Sequence, residues 1–310
     1  MAIRMKKMKI KVEKLIYKAL SWIFTCTFCG RIIPDKTYLE IKYKNAFGKK
    51  IRWKNPLTYN EKLQWLKLYD RKDIYTKMVD KYEVKKIVAK IIGEDYLVPT
   101  IGVWDRFNDI EFDKLPNSFV LKCTHDSGSA VICKDKSKFD RKNAEQIITK
   151  SLKKNYYWFG REWAYKNVRP RIMVEKYLGE GKDGDLKDYK FFCFNGEVKA
   201  LFVAQKRQIK EMETEFDFFD SDYNHLSLTN GHPNAVIPPE KPLMFDLMKK
   251  LAMKLAKGIP HVRIDFYESD GKVYFGEMTF FHWSGFMPFY PEKWDDIFGG
   301  WISLPKGINK

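Results

Sequence analysis

No stretch of this 310-residue chain reaches eighteen apolar residues, so no membrane-spanning helix is expected. The apolar segment Ala19–Phe28 is short and no small-residue cleavage site follows it, which argues against a secretory signal. Cysteine is scarce and odd in number, five in all (26, 29, 123, 133 and 193). That excludes a disulfide framework and suits a reduced, cytoplasmic protein. Cys26 and Cys29 form one CxxC with no second pair and no histidine nearby, and read as two buried thiols before a zinc or redox site. Internal repeats and low-complexity tracts are missing, and no Ser-His-Asp or Cys-His set offers a convincing nucleophile. What the chain does have is 16% aromatic and 45% hydrophobic residues, enough for a substantial core in two or three lobes.

Acidic residues are nearly missing from one end. Residues 1–54 carry fifteen Lys/Arg against three Asp/Glu, while the rest of the chain has 42 basic and 37 acidic residues. The net charge of +17 therefore sits mostly on an N-terminal extension, and a nucleic-acid partner is not expected. Within it Lys7, Lys11, Lys14 and Lys18 fall at 4-3-4 spacing along one helical face, beside an apolar stripe of Met8, Val12, Leu15, Ala19, Trp22 and Ile23. Two readings stand: attachment to an anionic membrane surface, or a helix packed on its own domain with its lysines in water.

Beyond the extension, Thr58 followed three residues later by Glu61 predicts a capping box opening a helix. A second helix should run through Ile92 to a Gly93 stop, followed by an extended Tyr96–Trp104 segment. "FVLKCTHDSGSAVIC" reads as strand, small-residue loop, strand. "AEQIITKSLKKNYYWF" reads as one helix and "RIMVEK" as a strand. "DKYEVKKIV" precedes them, and "DYKFFCFNGEVKALFVAQ" is a hairpin turned at Asn195-Gly196. A long loop, a helix over Pro242–Lys257 and a final hairpin complete the chain. Strands interspersed with helices, several of them hairpins, give the class α+β.

The final hairpin, "VRIDFYESDGKVYFGEMTF", sets Arg263, Asp265 and Glu277 inside otherwise apolar strands. Alternation places Arg263 and Asp265 on one face, and Glu277 with Thr279 on one face of the return strand. A two-residue Asp-Gly turn would put Glu277 opposite Ile264. A three-residue loop, Asp270-Gly271-Lys272, puts Asp265 opposite Glu277 and Arg263 opposite Thr279. Adjacent carboxylates repel unless a cation separates them, and Mg²⁺ accepts such oxygens. The competing reading is a hairpin with one solvated face.

Three further features bear on chemistry. Lys122 lies in the apolar strand Phe119-Val120-Leu121, where a lysine is costly unless it snorkels or meets an anion. The "HDSGSA" loop follows it, with small residues that let N–H groups converge on phosphate, although it is not a P-loop. Glu175 ends a strand and leads into a glycine-bearing turn.

In that order, these features resemble the teichuronopeptide-biosynthesis (TupA-like) ATP-grasp family, from about Asn55 to near Pro305. The resemblance implies an ATP-grasp fold, two α+β lobes enclosing ATP, here preceded by the basic helical extension. The divisions expected are 1–54 for the extension, 55–112 for a helical region, 113–178 for the small lobe and 179–310 for the large lobe with the metal site. It implies that Lys81 and Lys122 hold the α- and β-phosphates under the loop His125–Ser129, including Ser127 and Gly128. Glu175, Lys176, Tyr177 and Leu178 would bind adenine. Asp265 and Glu277 would hold Mg²⁺, and Arg263 would contact the transferred phosphoryl group.

Thr279 stands where many relatives have asparagine, which weakens the second metal site. The ribose acid is open among Glu180, Asp183 and Asp185, and Asp188 and Lys190 either face the cleft or form an exposed edge pair. His282, between Phe281 and Trp283, either meets the acceptor amine or is packed. The activity implied is an ATP-dependent carboxylate–amine ligase. Its partners would be a uronic acid of a cell-surface polysaccharide or lipid-linked glycan, and an amine or amino acid, joined at the inner face of the plasma membrane. A kinase acting on a glycan hydroxyl, a glycosyltransferase and a non-enzymatic envelope-binding protein are the alternatives.

Overall fold

The computed structural model describes residues 29–179, 185–207 and 212–306. The basic helix expected at Lys7–Lys18, together with Cys26, Glu180 and Asp183, lies outside them. No helix among the described residues is long and apolar enough to cross a membrane.

After a single helical turn at Cys29–Ile32 come four helices: α1 (Asp35–Phe47), α2 (Tyr59–Tyr69), α3 (Asp73–Val79) and α4 (Glu83–Ile92). The capping box at α2 is present, with Thr58 Oγ1 accepting from the Glu61 N–H and Glu61 accepting from the Thr58 N–H. Glu61 also binds the Arg52 guanidinium, which fixes the entry to the helix.

Strands β1 (Thr100–Trp104), β2 (Phe119–Cys123), β3 (Val131–Cys133) and β4 (Ile172–Lys176) form one antiparallel sheet in the order β1-β4-β2-β3. Helix α5 (Arg141–Leu152) packs on it, and Phe112, Phe119, Leu121, Ile148, Ile172 and Val174 share its core. The helix expected to continue through "KKNYYWF" stops at Leu152, and a separate single turn forms at Tyr157–Gly160.

The larger sheet is antiparallel, ordered β10-β9-β5-β6-β7-β8. It comprises β5 (Asp188–Phe194), β6 (Glu197–Gln205), β7 (Glu215–Asp220), β8 (His225–Leu226), β9 (His261–Ser269) and β10 (Lys272–Thr279), with helices α6 (Phe245–Leu255) and α7 (Lys293–Trp301). Asn195 and Gly196 both take positive φ, as a two-residue turn between β5 and β6 requires. Strands β7 and β8 fall in the segment read as a long loop. "EFDFFD" has two adjacent phenylalanines where an alternating pattern wants one, which hides the strand from period-2 reading.

The region expected as a unit at 55–112 divides between the lobes. Tyr59, Leu63, Tyr75, Val84 and Val88 share the core of the large sheet. Thr100–Trp104 is instead an edge strand of the small one. Cys123, Cys133 and Cys193 are buried free thiols.

Candidate active site

The charged strand residues meet in one rank across three strands. Lys190 on β5 faces Asp265 on β9, and Asp265 faces Glu277 on β10. In the next rank Phe192 faces Arg263, which faces Thr279. The Asp265–Glu277 pairing is the one expected, but its cause is different. The turn is the two-residue Asp270-Gly271 kind, both residues at positive φ, and it pairs Ser269 with Lys272. Left alone, that turn would set Glu277 opposite Ile264. A bulge at Gly276 restores the register by one residue. Glycine suits the bulge because a Cβ there would stand 3.1 Å from the Tyr267 ring and 3.2 Å from the Asp265 carbonyl.

Within the ranks, charge alternates. Arg263 donates through Nε and Nη2 to the two Asp265 oxygens, 2.7 Å each, and Nη2 also reaches Thr279 Oγ1 at 3.0 Å and Glu277 at 3.3 Å. Lys190 bridges Asp265 and Asp188, and Arg207 closes on Asp188. Burying such ions is costly unless each has a partner, and here each has one. Burial alone would raise the Glu277 carboxyl, but Lys81, Lys190, Arg263 and Arg207 outweigh it and hold it at about 2. Glu277 therefore stands ionised beside four cations.

His282 is buried, with both ring nitrogens engaged. Nδ1 accepts from Arg263 Nη1 at 2.7 Å, and Nε2 donates to Asn230 Oδ1 at 3.0 Å. Asn230 is oriented in turn by donating to the Pro288 carbonyl at 3.0 Å. Burial, then Arg263, keep the imidazole neutral and well below its ordinary pKa. In this arrangement His282 aims Arg263 and has no free lone pair for a substrate proton.

The small-residue loop of the small lobe faces this rank. Lys81, between α3 and α4 on the large-sheet side, donates to the Asp126 carbonyl of that loop. Ser127 and Gly128 are exposed, with Gly128 in the left-handed region at φ 89°. Ser129 and His125 instead brace the loop. Ser129 Oγ donates to Asp126 at 2.7 Å and accepts from the Cys123 N–H, while His125 Nε2 lies 3.1 Å from the Lys154 carbonyl. The anion that Lys122 needs is Glu175, which Lys85 also contacts. Burial would raise the Glu175 carboxyl, but these two lysines pull it below the usual range. Beyond Glu175, the Lys176 N–H bonds the Pro99 carbonyl at 3.0 Å, and the Leu178 carbonyl accepts from Ser269 at 2.8 Å. Tyr177 follows Lys176 in this connecting segment. Asp185 accepts from the Lys206 N–H at 2.6 Å, and its other oxygen is buried without a partner.

Sequence reading missed Lys85, Arg207 and Asn230. Each acquires its role from a residue far along the chain, and local pattern carries no signal for that.

The donor set fits a hard cation held partly by phosphate. Both Asp265 oxygens are engaged by Arg263 and Lys190, whereas the Glu277 side chain is 35% exposed. Among the described residues no group of three His, Cys, Asp or Glu could hold an ion unaided. One or two carboxylates with nucleotide phosphates and water is how Mg²⁺ is ordinarily kept. Ser127, Lys190, Arg207, Arg263, Glu277 and Thr279 border a cavity of about 190 Å³. A wider cleft of about 680 Å³ opens beside Lys176 and the hairpin turn, and holds none of the charged rank.

The sequence model described as TupA-like ATP-grasp matches residues 61–303. No curated protein matches the chain. Among solved structures, D-alanine–D-alanine ligase from Bacillus anthracis complexed with ATP is 16% identical at TM-score 0.38, over 66% of this chain and 55% of that one. D-alanyl-alanine synthetase A from Vibrio cholerae O1 biovar eltor is 12% identical at TM-score 0.40, over 66% and 56%. The ATP-grasp ligase PsnB, complexed with a phosphomimetic variant of its minimal precursor, Mg and ADP, is 10% identical at TM-score 0.39, over 70% and 56%. The chain spans a little over half the length of these structures.

Proposed function

The chain belongs to the TupA-like ATP-grasp family, and from that premise we propose that it is an ATP-dependent carboxylate–amine ligase working through an acyl phosphate. The observation that carries the proposal is the rank Lys190–Asp265–Glu277, with Arg263 alongside and Lys81 acting on Glu277. A carboxylate does not accept an amine in water, because its oxygen is a poor leaving group. Phosphoryl transfer from ATP removes that obstacle, and it asks the protein for positioning and charge neutralisation above all.

In this reading Lys81 and Lys122 hold the α- and β-phosphates, with Ser127 and Gly128 closing over them. The segment Glu175–Leu178 flanks the adenine. Lys190 and Arg207 face the phosphates from the large sheet, and Arg263 orients the phosphoryl group against the acid. When bound, Mg²⁺ supplies neutralisation of phosphate charge; Glu277, the more open carboxylate, would hold it first, and Asp265 only by sharing an oxygen already engaged by Arg263 or Lys190. The acid is proposed to be a uronic acid of a cell-surface polysaccharide or its lipid-linked precursor, and the acceptor an amine or amino acid. The Lys7–Lys18 face supports work at an anionic membrane surface. Cosedimentation of the full chain with anionic vesicles that persists after residues 1–28 are removed would overturn that attachment.

Hydroxylamine tests the chemistry. With ATP, Mg²⁺ and glucuronate- or galacturonate-containing lipid-linked oligosaccharides, an acyl phosphate gives a hydroxamate. A glycan kinase gives a phosphate ester that hydroxylamine leaves alone, and that product without hydroxamate would overturn the ligase reading.

A further inference from the structure

Two carboxylates border the 190 Å³ cavity among the described residues. Glu277 belongs to the phosphate side. The other is Glu162, which follows the left-handed Arg161 (φ 56°) and enters the site from outside both sheets. It is 3% exposed, yet it makes no direct ion pair among the described residues. One of its oxygens accepts a hydrogen bond from Ser284 Oγ.

The surroundings set a buried cation close to that carboxyl. Behind Ser284 lies Lys67, fully buried at 0% exposure, with its three donors spent on the Gly160 carbonyl (2.7 Å), the Ser284 carbonyl (2.7 Å) and Gln64 Oε1 (2.9 Å). Those acceptors are neutral, so the counter-charge for the buried ammonium is Glu162. Ser284 reaches both groups with Trp283 and Ser284 at φ of 49° and 53°, a conformation non-glycine residues seldom adopt. Such strain persists where the surrounding structure enforces it, often at functional sites. Gly160 completes the packing, since a methyl there would collide with the Ser284 hydroxyl. The walls beside Glu162 are aromatic, formed by Tyr156, Tyr165, Phe216 and Trp283.

We propose that Glu162 binds the acceptor's primary ammonium group and takes a proton from it. This rests on the ligase reading above. The His282 nitrogens are both engaged and Asp265 is held by Arg263 and Lys190, which leaves Glu162 as the carboxylate turned to the acceptor side. Aromatic faces add attraction for the cation. The proton balance closes. Glu162 accepts one proton from the ammonium, and the freed lone pair forms the C–N bond at the acyl carbon. The C–O bond to phosphate breaks with its electron pair, and the leaving phosphate takes the second nitrogen proton. Burial raises the Glu162 carboxyl above its ordinary range, which makes the carboxylate a better base.

The experiment compares amide with hydroxamate in one mixture. ATP, Mg²⁺ and the uronate panel are supplied with hydroxylamine and, in turn, with each common amino acid and glucosamine. Hydroxylamine is uncharged at neutral pH and needs no base. In Glu162→Gln the ratio of amide to hydroxamate should fall by roughly 100-fold or more, the scale of general base catalysis. Because Glu162→Gln strands the Lys67 charge, the charge-balanced pair Glu162→Gln/Lys67→Met is measured beside it and should show the same fall. An unchanged ratio overturns the proposal, and so does equal loss of both products in a folded variant. Wild type that yields hydroxamate but no amide from any amine also overturns it while leaving acid activation standing. Wild type that yields neither product removes the ligase reading, and this assignment with it.

Discussion

Glu277 is the residue on which the site's electrostatics converge, since the four cations Lys81, Lys190, Arg263 and Arg207 hold it ionised. Replacing it with glutamine keeps the shape and removes the charge. Glu277→Gln should lower turnover by at least ~100-fold, the scale of losing one preorganised electrostatic contact, with far-UV circular dichroism unchanged. Wild-type turnover would mean that the hairpin face is only a charged surface. At this scale the sequence was informative wherever a charge interrupted an apolar strand. Lys122, Lys190, Arg263, Asp265 and Glu277 stand out for that reason, because burying an ion without purpose is costly. Glu162 and Lys67 gave no such signal. Glu162 follows no strand pattern, and Lys67 looks like an ordinary solvated lysine on α2 until Gly160 and Ser284 fold over it.

The decisive element is the hairpin β9–β10. The sequence showed which residues share a face, but left the loop open between two and three residues. A tight Asp270-Gly271 turn followed by a bulge produces the same opposition as a longer loop. Period and turn chemistry cannot separate the two, because a bulge depends on what packs against the strand. Gly276→Ala tests the device. Its methyl must push on the Tyr267 ring and the Asp265 backbone, and overpacking of that kind costs about 1–3 kcal/mol. Thermal unfolding should shift by that amount and nucleotide affinity should fall together with it. An alanine variant with wild-type stability and affinity would show that the bulge tolerates a side chain. The capping box at Thr58, by contrast, was fully legible, since all its groups lie within four residues.

At the scale of the molecule, buried histidine links the core to pH. His261 donates through Nδ1 to the Cys193 carbonyl at 3.1 Å and accepts at Nε2 from Tyr59 at 3.0 Å. Burial, with Arg263 adding to it, depresses the ring to about 3. An unfolded histidine titrates near ~6.5, so between these values the unfolded chain binds the extra proton. The stabilisation is complete above ~6.5 and is lost as pH falls toward the folded value, at up to ~1.4 kcal/mol per unit. Thermal midpoints should drop accordingly from pH 7 to 4, and His261→Gln should flatten the decline. An equally steep decline in that variant would place the acid sensitivity elsewhere. The two-lobed α+β arrangement was legible in the order of elements. The sharing of residues 59–88 and 100–104 between different lobes was not, because it depends on contacts far apart in sequence.

The central claim is that ATP activates a carboxylate on this charged rank. The most direct measurement follows the acid's own oxygen. With a carboxylate-¹⁸O-labelled uronate substrate, ATP, Mg²⁺ and an amine, one labelled oxygen should leave in each inorganic phosphate as the amide forms. Phosphate released without label, or label retained in a phosphorylated sugar, would contradict it.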